Sequence, residues 1–276
     1  MKMFIQTVEM RERFINGLGR RYARALPLKS IRSKADIMFA ATHLYTSDTP
    51  FVAALNQEDQ PHYGSDEIPL LVDILDPFVT MVWEYFNINA APATQQDFDA
   101  VHEQLCNEFL QNIEVAGRYT HTYGNAQKMV NMLFKYLACF ADAAEFDDRF
   151  KYCHLTLDRF TYNGYRLPFY RDVVYVSIHG HHAPELEVWS KIASYSDYKA
   201  VADEIIAYIN SHPKTYNDYV DICDRFDTLN GISKLSTEED YVLTPFEAEF
   251  FLWTIAKACK NSRYPIPFVR SIEALL

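Results

Sequence analysis

Apolar residues recur at helical spacing along most of this chain, and this periodicity constrains the fold more than any other feature. At least seven segments repeat apolar positions every three or four residues, which places those positions on one face of an α-helix. Only 8 of the 276 residues are glycine, so few positions favour the positive φ angles of tight hairpin turns. The stretch 172–178, DVVYVSI, suits a short strand or equally a buried helix segment. We therefore predict a mainly α, compact multi-helix fold with at most one or two short strands.

Capping residues mark where several of the predicted helices begin. Thr94 with Asp97, and Thr244 with Glu247, have the three-residue spacing of a capping box, in which each side chain accepts a backbone N–H of the other residue. The predicted helices outside the centre of the chain cover 3–25, 30–45, 65–86, 94–113, 196–211, 216–229 and 244–259. We predict one compact domain over 1–276, and sub-domains 1–120 and 121–276 are the alternative.

The central helix carries the residues of most chemical interest. Gly124-Asn125 supplies a turn and an expected N-cap. Apolar residues from Met129 to Leu137 share one broad face. The opposite side is a polar stripe made of Gln127, Lys128, Asn131 and Lys135. Such a stripe usually lies in solvent, and this is the interpretation we favour; the alternative is the wall of a cleft that contacts phosphate or substrate.

The charge of the chain is distributed unevenly. The net charge is −11, so no global field attracts nucleic acid. Residues 11–34, however, hold eight basic residues and one acidic residue, a local charge of +7. This basic segment predicts a local patch that binds DNA phosphates. The residues predicted to contact nucleic acid are Arg20, Arg21, Arg24, Asn131 and Lys135.

The cysteines and the apolar runs indicate the cellular compartment of the protein. The five cysteines are far apart and form no C-x-x-C pair, which indicates reduced thiols of a cytoplasmic protein. No apolar run approaches the roughly 20 residues that a membrane helix needs. The first residues, MKMFIQTVEMRERF, carry charges within their apolar part, unlike a secretory signal. We predict a cytoplasmic protein with no membrane contact.

One pairing of residue types in the middle of the chain suggests chemistry. A small-residue turn at Gly124-x-Ala126 opens the helix that bears Lys128, and His154-Leu155-Thr156-Leu157-Asp158 opens a later one. Over residues 123–166 this arrangement resembles the helix-hairpin-helix DNA glycosylase superfamily. The wider pattern AQKMVNMLFKYL…CHLTLD…VWSKIASYSDYK…FEAEFFLW is similar to uncharacterised bacterial proteins and implies no function.

The glycosylase resemblance implies a role for two residues. Lys128 matches the amine that attacks the sugar C1′ as the base leaves, and Asp158 matches the carboxylate that stabilises the developing positive charge. DNA is the implied partner. No cysteine cluster for an iron–sulfur centre follows, so no cofactor is expected. In the alternative interpretation, Lys128 is a surface lysine and Asp158 is a helix N-cap.

Two further possibilities compete with this enzyme. His179, His181, His182 and Glu185 have ligand types suited to a transition metal, but a polar loop explains them more simply, and we predict no metal. The acidic, aromatic-rich composition also fits a non-enzymatic protein that binds another protein or mimics a polyanion, as in phage–host conflict. The sequence leaves the enzyme and the interaction protein open.

Overall fold

The computed structural model of the protein describes residues 8–18, 21–47, 67–115, 121–158, 161, 189–214, 217, 244–250 and 252–253. Within these ranges the chain is helical and contains no strand, which confirms the mainly α, multi-helix prediction. The predicted strand at 172–178 lies outside the described residues, as does almost all of the predicted helix 216–229. No helix among those described is long and apolar enough to cross a bilayer.

All but one of the following α-helices were predicted, in this order, and the exception is the short helix Asp147–Phe150. They are α1 (Val8–Leu18), α2 (Lys34–Ser47), α3 (Glu67–Asn87), α4 (Gln95–Val115), α5 (Tyr123–Leu137), α6 (Asp147–Phe150) and α7 (Tyr195–Ser211). In the described part of the chain, three 3-10 helices accompany them, at Arg21–Leu28, Ala143–Phe146 and Trp189–Lys191. The range of the first predicted helix thus contains α1 and most of the 3-10 helix Arg21–Leu28.

The chain divides into two units. The first comprises 1–158 and 186–202, and the second comprises 159–185 and 203–276. In the first unit, α2 packs against α3 and α5, and α4 packs against the same two helices. These four helices therefore form a closed ring of neighbours, with the central helix α5 as one member. The single compact domain over 1–276 stays a prediction.

Two helix N-termini confirm the predicted capping boxes. Before α4, the Asp97 N–H donates to Thr94 Oγ1 at 3.2 Å, and the Thr94 N–H donates to Asp97 Oδ2 at 2.9 Å. In the second unit, the Thr244 N–H donates to Glu247 Oε2 at 3.1 Å, and the Glu247 N–H donates to Thr244 Oγ1 at 3.3 Å. The helical residues 245–250 follow directly. Each box satisfies two donors that a helix end would otherwise leave unpaired.

Aromatic side chains fill the core of the first unit. The ring centroid of Phe134 lies 5.6 Å from that of Tyr85, 5.4 Å from Phe86 and 5.9 Å from Phe98. All four residues are buried. Because burial of one such side chain stabilises a fold by about 1.5–3 kcal/mol, this cluster fixes α5 against α3 and α4.

Candidate functional site

The central helix α5 is buried along its whole length. Its polar stripe is buried as well: Gln127 is 0 % exposed, Lys128 6 %, Asn131 2 % and Lys135 0 %. The prediction that this stripe is a solvated face is therefore wrong. The physical reason is that α2 and α4 pack against α5, while segment 153–158 and the 3-10 helix Trp189–Lys191 contact it elsewhere.

The N-cap of α5 lies two to three residues earlier than predicted. Its N-cap is Thr122, not Gly124 or Asn125. The Asn125 N–H donates to Thr122 Oγ1 at 3.3 Å, and the Thr122 N–H donates to Asn125 Oδ1 at 3.1 Å. Asn125 thus takes the place that Glu usually has in a capping box.

Glycine is required at position 124 because the backbone of segment 189–192 passes close to it. Its N–H donates to the Ile192 carbonyl at 3.0 Å. A Cβ atom at position 124 would lie 2.1 Å from the Trp189 carbonyl oxygen, far inside van der Waals contact. The absence of a side chain therefore lets the segment 189–192 close over the first turn of α5.

Segment 153–158 runs along α5 and is held by side-chain amides. Gln127 Nε2 donates to the Leu157 carbonyl at 2.8 Å, and the Leu157 N–H donates to Gln127 Oε1 at 3.0 Å. One turn further, Asn131 Nδ2 lies 3.2 Å from the Leu155 carbonyl. Gln127 thus pairs with a peptide group as a neighbouring strand would, and both hydrogen-bonding groups of Leu157 are satisfied.

The pairing of Gln127 with Leu157 bears directly on the two predicted catalytic residues. Lys128 follows Gln127, and Asp158 follows Leu157, so the Gln127 side chain ties the backbone next to Asp158 to the residue that precedes Lys128. Asp158 is 4 % exposed. The interpretation of Lys128 as a surface lysine is wrong, because its side chain is buried. The residues that would test Asp158 as a helix N-cap lie outside the described part of the chain.

Trp189 covers the amine of Lys128. Lys128 Nζ lies 5.0 Å from the centroid of the Trp189 ring, within the range of a cation–π contact. The indole itself is only half-buried. The half-buried tryptophan therefore lies over a buried amine at the start of α5.

The residues predicted to bind nucleic acid fall into two groups. Asn131 is bonded inside the core, and Lys135 Nζ lies 4.7 Å from the ring centroid of Phe14. Burial removes both side chains from any phosphate-binding surface in this structure. Arg24 is exposed on the 3-10 helix Arg21–Leu28, whereas Arg20 lies outside the described residues.

A buried histidine pair adjoins the same segment and was not predicted. The ring centroids of His102 on α4 and His154 lie 4.3 Å apart. His154 Nε2 lies 2.7 Å from Asp99 Oδ1, and His102 Nε2 lies 3.0 Å from Asn131 Oδ1. Burial, then the nearby His154, lowers the pKa of His102 well below its usual value. Burial alone would raise the pKa of Asp99, but hydrogen bonds from His154 and Gln95 outweigh it, so this pKa is lowered.

The sequence feature that indicates the burial of His102 is its position on the apolar face of α4. His102 follows Phe98 by one turn and precedes Cys106 by another, and all three residues are buried. A histidine on such a face is expected to be buried and bonded. Nothing in the sequence indicates that His154 stacks on it, because that contact joins positions 52 residues apart.

Metal and thiol chemistry find no support in the described part of the chain. Those residues contain no group of three or more His, Cys, Asp or Glu side chains placed to hold a metal ion. The predicted candidates at 179–185 lie outside it. Burial raises the pKa of the Cys139 thiol to about 12 and raises that of Cys106 as well, so neither is a thiolate near neutral pH.

Comparisons of this chain with protein-family models, with curated proteins and with solved structures found no match. The resemblance to the helix-hairpin-helix glycosylases thus stays a prediction.

Proposed function

We propose that this protein is a nucleic-acid-processing enzyme of the DNA glycosylase/lyase type, with Lys128 as its nucleophile and Asp158 as its electrostatic partner. The observation that carries the proposal is the double hydrogen bond between Gln127 and the peptide group of Leu157. It ties the residues next to Lys128 and Asp158 to one another. Two groups that must approach the same sugar ring need such a fixed arrangement.

The reaction assigns one task to each residue. The amine of Lys128 attacks the sugar C1′, a C–N bond forms, and the glycosidic bond breaks with its electron pair leaving on the base. The base takes up a proton and the attacking amine loses one. The carboxylate of Asp158 stabilises the positive charge that develops on the sugar ring. The nitrogen lone pair then expels the ring oxygen O4′ from C1′, O4′ takes up a proton, and the sugar ring opens. The resulting iminium between Lys128 and C1′ is the species that a reductant traps.

Access to Lys128 requires the cover at the start of α5 to move. Lys128 is 6 % exposed, and the Trp189 ring lies over its amine. In this proposal the extrahelical sugar displaces the indole and takes its place beside the amine. Water is excluded by the same cover before the substrate binds, which strengthens the electrostatic effect of Asp158.

The basic segment supplies the phosphate contacts. Arg24 is exposed on the 3-10 helix Arg21–Leu28, and Arg20 and Arg21 belong to the same run of charge. Charge reversal at these three arginines should weaken binding to DNA and make its salt dependence shallower. The buried Asn131 and Lys135 have no part in this surface.

Reductive trapping tests the proposal. Incubation with DNA that contains an abasic site, in the presence of borohydride, should give a covalent adduct. Lys128→Gln should abolish the adduct, while Asp158→Asn should slow base release from a damaged nucleotide. A matched control is Lys151→Gln, because Lys151 is an exposed lysine with its Nζ 4.8 Å from the Tyr152 ring centroid. This control should trap as the wild type does.

The acidic interaction protein is the competing function, and the net charge of −11 favours it. It predicts no adduct across a panel of abasic and damaged substrates and no binding of DNA at low salt. Such a result would remove the enzyme proposal and leave protein binding as the better explanation.

A further inference from the structure

The orientation of the Asn131 amide is fixed by its neighbours. Its Nδ2 atom lies 3.2 Å from the Leu155 carbonyl and 3.0 Å from the Tyr198 hydroxyl. A carbonyl oxygen only accepts hydrogen bonds, so the NH₂ group must face Leu155. Asn131 Oδ1 therefore faces His102 Nε2 at 3.0 Å and accepts a hydrogen bond from it. The network thus requires His102 to carry a hydrogen on Nε2.

The thiol of Cys106 lies beside the same ring. Its Sγ atom is 3.8 Å from His102 Nδ1 and 3.9 Å from Nε2, so it is not directed at one nitrogen. A second hydrogen, on Nδ1, would charge a ring that is 0 % exposed, and burying a charge is costly unless it is paired. The surroundings therefore favour the neutral imidazole.

The charged groups around His102 disfavour a second proton too. Asp99, the nearby carboxylate, is bonded to His154 rather than to His102. Burial chiefly lowers the pKa of His102, the charges of His154 and Lys199 act in the same direction, and the Asn131 hydrogen bond opposes them. The titratable groups that face His102 are Asp99 and Cys106 from α4, His154 from segment 153–158, and Tyr195, Tyr198 and Lys199 from α7.

We propose that His102 is a positioning residue that helps to seat segment 153–158 through Asn131 and the Leu155 carbonyl, and that a positive charge on its buried ring releases this segment together with Asp158. The seating is a property of the fold. Only its effect on base release rests on the proposed function. His102 touches no substrate in this proposal and acts through Asn131 and Leu155 alone.

Release of the segment exposes His102 to water, which sets the size of the effect. His154 stacks on His102 and leaves with the segment. A solvated histidine takes up a proton below about pH 6.5, and each pH unit below that value favours the released state about tenfold. Between pH 7.5 and pH 5.5 the population of the released state should therefore increase about tenfold.

Hydrogen exchange of the Leu157 amide measures this release. This N–H donates to Gln127 Oε1 at 3.0 Å and is protected only while the segment is seated. After correction for the intrinsic exchange rate, its opening should be about tenfold greater at pH 5.5 than at pH 7.5. His102→Gln keeps a neutral NH₂ donor at both pH values, and should remove most of this dependence. His121→Gln is the control, because His121 is a half-buried histidine bonded to Tyr45 on α2 at 3.1 Å.

Two results would overturn the inference. One is Leu157 protection that is equal at both pH values in folded wild-type protein. The other is a pH dependence that survives in His102→Gln, since this would assign the effect to His154. If that variant does not fold, nitrogen-15 chemical shifts of the wild-type imidazoles decide: His102 must be neutral with its hydrogen on Nε2 at pH 7, and any other state contradicts the inference.

The activity measurement separates this inference from the proposed function. If the protein is the enzyme, base release should fall more steeply from pH 7.5 to pH 5.5 in wild type than in His102→Gln. If no adduct forms with any substrate, the enzyme proposal fails, and the exchange of Leu157 still confirms or contradicts the seating by His102. The two proposals thus fail on different observations.

Discussion

The two halves of α5 are equally buried but are held in different ways. In its C-terminal half, Phe134 contacts the rings of Tyr85, Phe86 and Phe98. In its N-terminal half, Gln127 and Asn131 bond to the backbone of segment 153–158. Apolar packing is non-directional, whereas each amide bond requires one particular partner. The aromatic half therefore supplies stability, and the amide half determines where one segment lies.

The largest expected effect tests the aromatic half. Phe134→Ala removes a ring that is 1 % exposed and is surrounded by three other aromatic rings. We expect the free energy of unfolding to fall by about 3–5 kcal/mol, because a cavity remains in a packed core. Urea denaturation followed by circular dichroism measures it. A loss below about 1 kcal/mol would show that this half is not the stabilising one.

The second prediction tests the amide half by an isosteric change. Gln127→Met keeps the volume but leaves the N–H and the carbonyl of Leu157 without their partner. Since an unpaired buried group costs about 1–3 kcal/mol, we expect a loss of about 2–4 kcal/mol. Gln104→Met is the control, because Gln104 is exposed on α4. Equal effects of the two changes in urea denaturation would contradict the role given to Gln127.

The third prediction concerns pH and the buried histidines. Burial lowers the pKa of His43, His102 and His121, the last to about 4. Below about pH 6.5 the unfolded chain binds protons that the folded protein does not, so the free energy of unfolding falls as pH decreases through this window. Each histidine contributes at most about 1.4 kcal/mol per pH unit.

Urea denaturation between pH 7.5 and pH 5 measures this slope. His102→Gln should make it shallower, whereas His212→Gln should leave it unchanged because His212 is exposed. A free energy of unfolding that stays constant over this range would contradict the burial of these histidines as neutral groups.

The smallest predicted effect concerns a hydrogen bond between a side chain and the backbone that is exposed to solvent. Thr94 caps α4 through Asp97, and both residues are exposed. Thr94→Ala should cost about 1 kcal/mol, as is usual for an N-cap, and Thr94→Ser much less. If this loss equals that of Gln127→Met, burial adds nothing to the amide half, and the contrast between the halves of α5 fails.

The sequence predicts the features of this fold that arise within one helix, and it misses those that depend on contacts between residues far apart in the chain. Periodicity and capping boxes predict α3, α4 and α7 nearly to their ends, because both signals lie within the helix itself. Gln127 and Asn131 are bonded inside the core by Leu157 and Leu155, whose contribution comes from the backbone and leaves no trace in residue type. In the same way, the need for Gly124 arises from Trp189, 65 positions later.

The candidate site was predicted by residue type rather than by geometry. Lys128 and Asp158 were named from a resemblance, and the structure buries both of them. The bond between Gln127 and Leu157, the residues that precede them, has no sequence signature, because a glutamine on a helix is usually solvated. The Thr122 cap was missed since Asn125 occupies the position where Glu is expected.

Reductive trapping in the Gln127→Met variant tests the central claim most directly. Lys128 and Asp158 are intact in this protein, and only the bond that ties their neighbours is lost. With folded protein and abasic DNA, we expect adduct formation to slow roughly a hundredfold, because small displacements of a nucleophile have effects of that order. The Gln104→Met variant should trap as wild type does. Equal trapping by all three proteins, or no trapping by any, would contradict the account.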